Sequence, residues 1–228
     1  MSNPLTITNP PLVCWNCHER TIGTHFCPGC GKLLQLPKGS DYFAMFELPR
    51  KLWIEMDALE QKFLQLSWKL HPDNFVSATE QEREISLQRS SELNDAYRTL
   101  RDPIARVEYL LAIEGTRKNG ENKQQAPPEL LEEVFDLNES LDELREAKAA
   151  GSDTASLRRR LEEAEEKFEE KLAQVDTELH SAAREWDQVI DSGADDAARR
   201  KAMSKLNELL NRRSYIKNLV VNVQKELL

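Results

Sequence analysis

Apolar residues recur every three or four positions along most of this chain, which is the spacing of amphipathic helices. The first clear run is Leu59, Phe63, Leu66 and Leu70. Pro72 biases the residues before it away from helical geometry, so this helix is predicted to end just before it. His71, Pro72 and Asp73 then lie at the tip of an exposed turn. Asp57 is the predicted cap at the start of the helix.

The helices after this turn carry local start and stop signals. Thr79 and Glu82 have the spacing of a capping box at the start of the next helix. Pro103 opens a further helix and Gly115 ends it. With the short apolar run DYFAMF, these segments predict a series of short helices over residues 41–115.

The second half of the chain predicts three long helices. Residues 116–128 are polar, carry Gly and Pro and show no apolar period, so they are predicted to be a linker. The apolar stripes beyond it are Leu130, Val134, Leu137, Leu141 and Leu144; then Leu157, Leu161, Ala164, Phe168, Leu172, Val175, Leu179, Trp186 and Ile190; then Leu209, Ile216, Val220, Val223 and Leu227. The breaks AAGSD and DSGADD join a helix-stopping Gly to a new cap, which predicts an antiparallel three-helix bundle over residues 129–228. A long coiled coil is the alternative, and these breaks weaken it.

Composition agrees with helices and limits the classes of function. Charged residues make up 31% of the chain and aromatic residues 7%, which favours an all-α fold. The net charge of -9 argues against a nucleic-acid-binding protein, and the basic cluster at residues 158–160 is interpreted as a solvated helix face. No stretch approaches the roughly 20 apolar residues of a membrane span, and no signal or transit peptide is visible. We therefore expect a cytoplasmic protein without nucleic-acid or membrane partners.

All the cysteines lie near the start of the chain, in two CxxC motifs. They are Cys14, Cys17, Cys27 and Cys30. Four thiolates at this spacing can surround one tetrahedral ion, and Gly29 and Gly31 allow the backbone to turn its amides toward the sulfurs. Zinc is the predicted metal, and a closed four-thiolate site stabilises structure without catalysing a reaction. We therefore predict a disordered tail at residues 1–13 and a structural metal segment at residues 14–36.

Other interpretations of the cysteines are weaker. CWNCH alone matches the haem attachment signature, but that interpretation leaves the second CxxC motif unexplained. A thioredoxin-like site requires a strand-helix setting that this segment lacks. Iron or a redox switch is the remaining alternative to zinc. His18 and His25 could act as substitute ligands, although four cysteines already complete the coordination shell.

The His-Pro-Asp turn has several chemical interpretations. A His beside an Asp could activate a nucleophile, but no nucleophile motif or carboxylate pair accompanies it, so we do not expect an enzyme. A contact surface is better supported, because an Asp on a proline-stiffened tip presents a fixed carboxylate to a partner Arg at little entropic cost. A plain connector between two helices is the simplest alternative.

The segments around the turn favour the contact surface. The run LEQKFLQLSWKLHPDNF, followed by NDAYRTLRDP, resembles a J-domain, the module that stimulates the ATPase of DnaK-type chaperones through its His-Pro-Asp loop. With DYFAMFELP before it and IARVEYLLAIEG after it, the chain resembles the HscB family of iron-sulfur co-chaperones. The resemblance covers residues 41–228 and implies a helical J-domain at 41–115 and a bundle at 129–228. The four-cysteine segment resembles an extension of some eukaryotic members, yet the missing transit peptide favours a bacterial source.

The resemblance also implies partners and residue roles. The partners are a DnaK/HscA-type chaperone and the IscU-type iron-sulfur scaffold that the protein delivers to it. The implied chaperone-binding residues are His71, Pro72, Asp73, Lys62 and Lys69, and the implied scaffold-binding residues are Leu131, Phe135, Asp136, Glu139, Glu143, Tyr215 and Leu219. The apolar members of the second set lie beside the predicted core stripes, and periodicity alone favours a broad core that includes them. The resemblance instead implies that they form an exposed apolar patch.

The sequence departs from the family pattern at three points. Lys62 and Lys69 are the basic residues of the helix before the loop, so electrostatic steering toward an acidic chaperone surface should be weak. Glu55 stands where the family often has a capping Asp, so the cap is poorer or has moved to Asp57. Glu132 replaces an apolar residue and narrows the scaffold patch. The alternative function is a zinc-containing helical adaptor that does not activate a chaperone.

Overall fold

Helices dominate the protein. The computed structural model describes residues 12–21, 25–36, 40–117 and 127–228. Over these residues the chain is helical apart from one small two-stranded sheet and the connecting turns, and the all-α fold class is confirmed. Two predictions fall outside the described residues, namely the disordered tail up to residue 11 and the linker over 118–126.

The elements follow one another in the predicted order. Strands β1 (Leu12–Val13) and β2 (Arg20–Thr21) pair antiparallel. The helices are α1 (Tyr42–Met45), α2 (Met56–Leu70), α3 (Glu80–Arg101), α4 (Pro103–Ile113), α5 (Leu131–Ala150), α6 (Ala155–Asp191) and α7 (Asp196–Leu227), with short 3-10 turns at Pro72–Phe75 and Pro128–Leu130. Strand β1 occupies two residues that were predicted to be disordered, because the first CxxC motif lies in a hairpin that begins there.

The chain divides into two compact units. The first contains residues 1–115 and 184–200, and the second contains residues 116–183 and 201–228. The predicted domain boundaries assigned residues 184–200 to the bundle. In the structure they belong with the N-terminal helices.

Two side chains of that segment explain this assignment. Trp186 donates from Nε1 to the carbonyl of Arg50 at 2.9 Å. The Asp187 carboxylate accepts from the amides of Leu52 at 2.7 Å and Trp53 at 2.8 Å. Burial raises the pKa of Asp187, and the two amides oppose that shift. These contacts join parts of the chain that are far apart in sequence, so local patterns do not reveal them.

The helix starts of the first unit agree only partly with the predicted caps. Thr79 caps α3 by accepting from the amide of Glu82 at 3.3 Å, which confirms that prediction. Helix α2 begins at Met56, and Glu55 before it makes no side-chain capping bond. Of the two predicted alternatives, the poorer cap is therefore confirmed, and the cap at Asp57 is wrong. Asp57 lies within the first turn, where its charge favours the helix dipole but its side chain does not cap.

The second unit has one apolar core built from all three predicted stripes. Its buried members are Leu130, Val134, Leu137, Leu141, Leu144, Leu161, Phe168, Val175, Ile216, Leu219, Val220 and Val223.

The ion pairs between the helices give their directions. Glu133 near the start of α5 pairs with Lys171 in the middle of α6, whereas Glu143 further along α5 pairs with Arg160 near the start of α6, both at 3.0 Å. Likewise, Asp176 and Glu165 of α6 bind Arg213 and Gln224 of α7 at 2.5 and 2.7 Å. Helix α6 therefore runs antiparallel to both neighbours, as the short connections predicted.

Leu219 and Tyr215 correct the predicted width of this core. Leu219 is only 9% exposed and belongs to the core, and Tyr215 is half-buried against it. The buried face of α7 spans the successive positions Ile216, Leu219, Val220 and Val223, because a packed helical face covers about 100 degrees or more. The expectation that Leu219 is exposed is therefore wrong, and Tyr215 is exposed only in part.

Candidate metal centre and interaction surfaces

The four cysteine sulfurs converge within the first unit. The Sγ atoms of Cys14 and Cys30 lie 3.6 Å apart, those of Cys17 and Cys27 lie 3.5 Å apart, and all four lie within 4.8 Å of one another. A tetrahedral zinc ion with Zn–S bonds of about 2.3 Å separates its sulfurs by about 3.8 Å. The arrangement therefore fits one metal ion held by four thiolates.

The two CxxC motifs adopt the same local structure. In the first, the amide of Cys14 donates to the carbonyl of Glu19 at 2.8 Å. In the second, the amide of Cys27 donates to the carbonyl of Lys32, also at 2.8 Å. The backbone amide of Lys32 also lowers the pKa of Cys30 to about 6. The pKa of Cys17 is instead raised, because the lowering effect of the backbone bond at Glu19 is outweighed by hydrogen bonds with the other thiols and by burial.

The backbone requires only one of the two glycines of the second motif. Gly31 has a φ of 72°, which confirms that the turn needs a left-handed residue there. The equivalent position of the first motif is His18, with a φ of 61°. A Cβ at Gly29 would meet only the carboxylate of Glu19, the end of an exposed side chain that can move aside.

Neither histidine of the segment joins the sulfurs. Among the described residues, the group of potential ligands at this point consists of the four cysteines. His18 is exposed, and His25 contacts Arg89 of α3 through Nδ1. The prediction that these histidines could substitute as ligands finds no support in the geometry.

A buried ion pair attaches the metal segment to α3. Lys32 Nζ lies 2.6 Å from Oε2 of Glu82, whose side chain is 6% exposed. The amide of Leu33 lies 3.5 Å from the other oxygen of the same carboxylate. The predicted capping box is thus only half formed, since Thr79 caps the helix while the Glu82 carboxylate is directed to the metal segment.

Arg89 and His25 form a second contact between the segment and α3. Burial, together with the adjacent Arg89 charge, lowers the pKa of His25 to about 4. Burial also lowers the pKa of Arg89 to about 10. The imidazole is therefore neutral at pH 7, which allows its Nδ1 to accept from the guanidinium.

The His-Pro-Asp loop is exposed and internally ordered. The side chain of His71 is 55% exposed and that of Asp73 is 85% exposed. His71 Nδ1 accepts from the amide of Asp73 at 3.3 Å, and Pro72 opens the 3-10 turn. The three residues therefore present polar groups outward in a defined conformation.

Hydrogen bonds from three neighbouring side chains support this loop. Asn74 Nδ2 donates to the carbonyl of Trp68 at 2.6 Å. The hydroxyls of Ser86 and Ser90 donate to the carbonyl of Leu70 at 2.7 and 2.9 Å. These bonds satisfy carbonyls that the end of α2 leaves without helical partners. Sequence reasoning missed all three side chains, because a serine in a helix carries no sign of which distant carbonyl it binds.

Helix α2 presents more apolar than basic surface beside the loop. Lys62 is half-buried and donates to the carbonyl of Phe46 at 2.9 Å, whereas Lys69 is exposed. Leu64 and Trp68, one turn apart, are 59% and 74% exposed. Of the two predicted basic contacts, only Lys69 therefore extends into solvent.

The predicted scaffold-binding residues of α5 do not all lie on one face of the helix. Leu131 and Phe135 are one turn apart and exposed, with Phe135 at 70%. Asp136, Glu139 and Glu143 are also exposed.

The acidic residues of α5 do not all adjoin its apolar pair. Glu143 binds Arg160 of α6 at 3.0 Å, and Ser140 binds the same guanidinium at 3.1 Å. Asp136 lies one turn before Ser140 and therefore shares this face toward α6. The structure thus brings Leu131 and Phe135 together and separates them from Asp136 and Glu143.

None of the helices in the described parts of the chain is long and apolar enough to cross a membrane.

Comparison with known proteins gives a consistent result. No family model matches the chain. The chain is 33% identical over 151 residues to the co-chaperone protein HscB homolog of Vibrio vulnificus, which covers 66% of this chain and 85% of that protein. It is 38% identical over 102 residues to the HscB homolog of Vibrio cholerae, covering 45% and 60% of the two chains.

Two solved structures share the fold. The crystal structure of human co-chaperone protein HscB superposes with a TM-score of 0.66 at 23% identity, covering 93% of this chain and 96% of that one. The chaperone HscB from Vibrio cholerae gives a TM-score of 0.50 at 27% identity, covering 82% and 99%.

Proposed function

Because the chain belongs to the HscB co-chaperone family, we propose that it is a J-domain co-chaperone of iron-sulfur cluster assembly. In this function it binds an IscU-type scaffold, delivers the scaffold to a DnaK/HscA-type chaperone and stimulates the ATPase of that chaperone. The protein itself catalyses no reaction.

The His-Pro-Asp loop is the observation that carries this proposal. His71 and Asp73 are exposed, while Asn74, Ser86 and Ser90 hold the backbone around them. A fixed, exposed carboxylate binds a partner guanidinium at little entropic cost. The loop is therefore suited to contact a chaperone, with Lys69 as the exposed basic residue beside it.

Single-turnover ATP hydrolysis by the partner chaperone tests the loop. We expect the protein to accelerate hydrolysis and His71→Gln to abolish the acceleration, because the substitution removes the exposed imidazole that is proposed to contact the chaperone. His180→Gln, which alters another exposed histidine on α6, is the matched control and should stimulate normally. Full stimulation by His71→Gln would contradict the proposed role, and no stimulation by the unaltered protein would favour the helical adaptor.

The exposed apolar pair of α5 supports scaffold binding. Leu131 and Phe135 lie on the surface of a helix whose opposite face is buried in a core. Exposed apolar residues that lie one turn apart are a common anchor for a partner protein. We place the centre of the scaffold site at Leu131 and Phe135, with Glu139 and the exposed part of Tyr215 at its edge.

Binding of the purified IscU-type scaffold tests this assignment. Phe135→Ala should weaken binding by roughly 1 to 4 kcal/mol, the range for an interface anchor. Leu87→Ala removes an equally exposed apolar side chain from α3 and should leave scaffold binding unchanged. Equal losses in both variants would show that the effect is not specific to α5.

We assign the four cysteines to one structural zinc ion. The close approach of their sulfurs fits the tetrahedral geometry of zinc, and four thiolates leave no open coordination position for catalysis. Metal analysis of the purified protein should give one zinc per chain. A chain that carries iron with visible absorption, or no metal at all, would refute this assignment.

A further inference from the structure

The metal segment and the His-Pro-Asp loop are both bound to one face of α3. Glu82, Ser86 and Arg89 are buried on α3 at spacings of four and three residues, which places them along a single face. Glu82 and Arg89 contact the metal segment through Lys32 and His25. Ser86 lies between them and binds the end of α2.

The contact at Glu82 depends on the folded metal segment. Two groups of the segment converge on this carboxylate, the Lys32 ammonium at 2.6 Å and the Leu33 amide at 3.5 Å. Both belong to the turn that follows Cys30. A segment this short has too small a core to fold alone, so the metal is required to keep these two donors in place.

The contact at Ser86 continues the path to the loop. Ser86 and Ser90 donate to the same carbonyl of Leu70, the residue directly before His71. Movement of this part of α3 therefore moves the anchor of the loop.

We propose that Glu82 is a positioning residue through which the metal segment stabilises α3 and, through Ser86 and Ser90, the His-Pro-Asp loop. The four-cysteine segment is then a metal-dependent support of the chaperone-contact loop and not an independent appendage. This inference rests on the metal site and the loop role of the proposed function, and it adds the physical connection between them.

Metal affinity of the full chain tests the link from Glu82 to the cysteines. If docking on α3 contributes to metal binding, Glu82→Gln should weaken zinc affinity roughly three- to tenfold in competition with a chromophoric chelator, the effect of losing one charged contact. Gln keeps an acceptor for the Leu33 amide, but it removes the charge and places an NH2 donor where Lys32 needs an acceptor. Glu80→Gln is the matched control, since it also removes a carboxylate from the first turn of α3. The Glu80 carboxylate pairs with Arg83 of the same helix and not with the metal segment.

Hydrogen exchange measured by mass spectrometry tests the link to the loop. In the zinc-loaded protein, Glu82→Gln should speed exchange in peptides spanning residues 66–76 relative to the unaltered chain and to Glu80→Gln. In the zinc-free protein, exchange in these peptides should already be fast, and the two variants should behave alike.

The outcomes separate this inference from the proposed function. A chain that binds no metal overturns the zinc assignment and this inference with it. Bound zinc with equal affinity in Glu82→Gln and Glu80→Gln, or unchanged loop exchange after zinc removal, overturns this inference alone. Neither measurement uses chaperone stimulation, so a failed ATPase assay leaves the result intact.

Discussion

The four-cysteine segment and the three-helix bundle obtain their stability in different ways. The segment has a small apolar cluster in which Cys14, Cys27 and Leu34 are the buried members. The bundle buries a core drawn from all three of its helices. A core of that size stabilises a fold by hydrophobic burial, whereas we expect the segment to depend on the proposed metal and on its contacts with α3. Periodic apolar residues thus account for the stability of the bundle, and four specific side chains are proposed to account for that of the segment.

Metal removal should have the largest effect and should distinguish the segment from the bundle most clearly. Chelation, or Cys27→Ser, should abolish the ordered structure of residues 12–21 and 25–36, because the ligands are the main constraint on that segment. Amide exchange should become fast there while the amides around Leu161 in the bundle stay protected. Loss of protection in the bundle after chelation would show that the two regions do not differ as described.

A core truncation in the bundle should give the opposite pattern. Leu161 is 0% exposed, so Leu161→Ala should lower the free energy of unfolding by about 2 to 5 kcal/mol, the range for a buried leucine. Denaturant unfolding followed by circular dichroism measures this loss. Zinc content should stay unchanged, and a variant that also loses zinc would show coupling of the two regions.

Tyr215 and Phe135 sharpen the limit between core and surface. Tyr215 is half-buried against the bundle core, so Tyr215→Ala should cost about 1 kcal/mol of unfolding free energy. Phe135 is exposed, so Phe135→Ala should stay within about 0.5 kcal/mol of the unaltered protein. Thermal melting of both variants provides the comparison, and equal losses would place Phe135 in the core as well.

The smallest stability effect is expected at the loop. His71→Gln should change the free energy of unfolding by less than about 0.5 kcal/mol, because the side chain is exposed and fills no cavity. Helicity and zinc content should also match those of the unaltered chain. A marked drop in melting temperature would mean that His71 supports the fold, and its ATPase phenotype would then need another explanation.

Local patterns predicted the elements well and the long-range contacts poorly. The stripe from Leu130 to Leu144 is buried as its period requires, and Thr79 caps α3. The four cysteines could be grouped from spacing alone, because two CxxC motifs close together in sequence match a four-thiolate site. By contrast, the attachment of Asp187 to Leu52 spans 135 positions, and helical periodicity contains no information about such pairs.

Glu82 shows why a correct local rule can give an incomplete result. Its distance from Thr79 matches a capping box, and the helix begins where that pattern predicts. Its side chain nevertheless binds Lys32, since an ion pair and a second donor stabilise a buried carboxylate more than a single exposed backbone amide would. Leu219 was mispredicted for a different reason, because the implied exposed patch was preferred to the broad buried face that helical periodicity already favoured.

The matching geometry of the two CxxC motifs suggests how the metal segment is organised. Each motif forms a small hairpin, with Val13 opposite Arg20 in the first and Phe26 opposite Leu33 in the second. Each hairpin arranges its own two sulfurs through backbone bonds that remain inside it. The segment therefore consists of two similar half-shells of a coordination sphere, and each half-shell presents its two sulfurs from a backbone framework of its own.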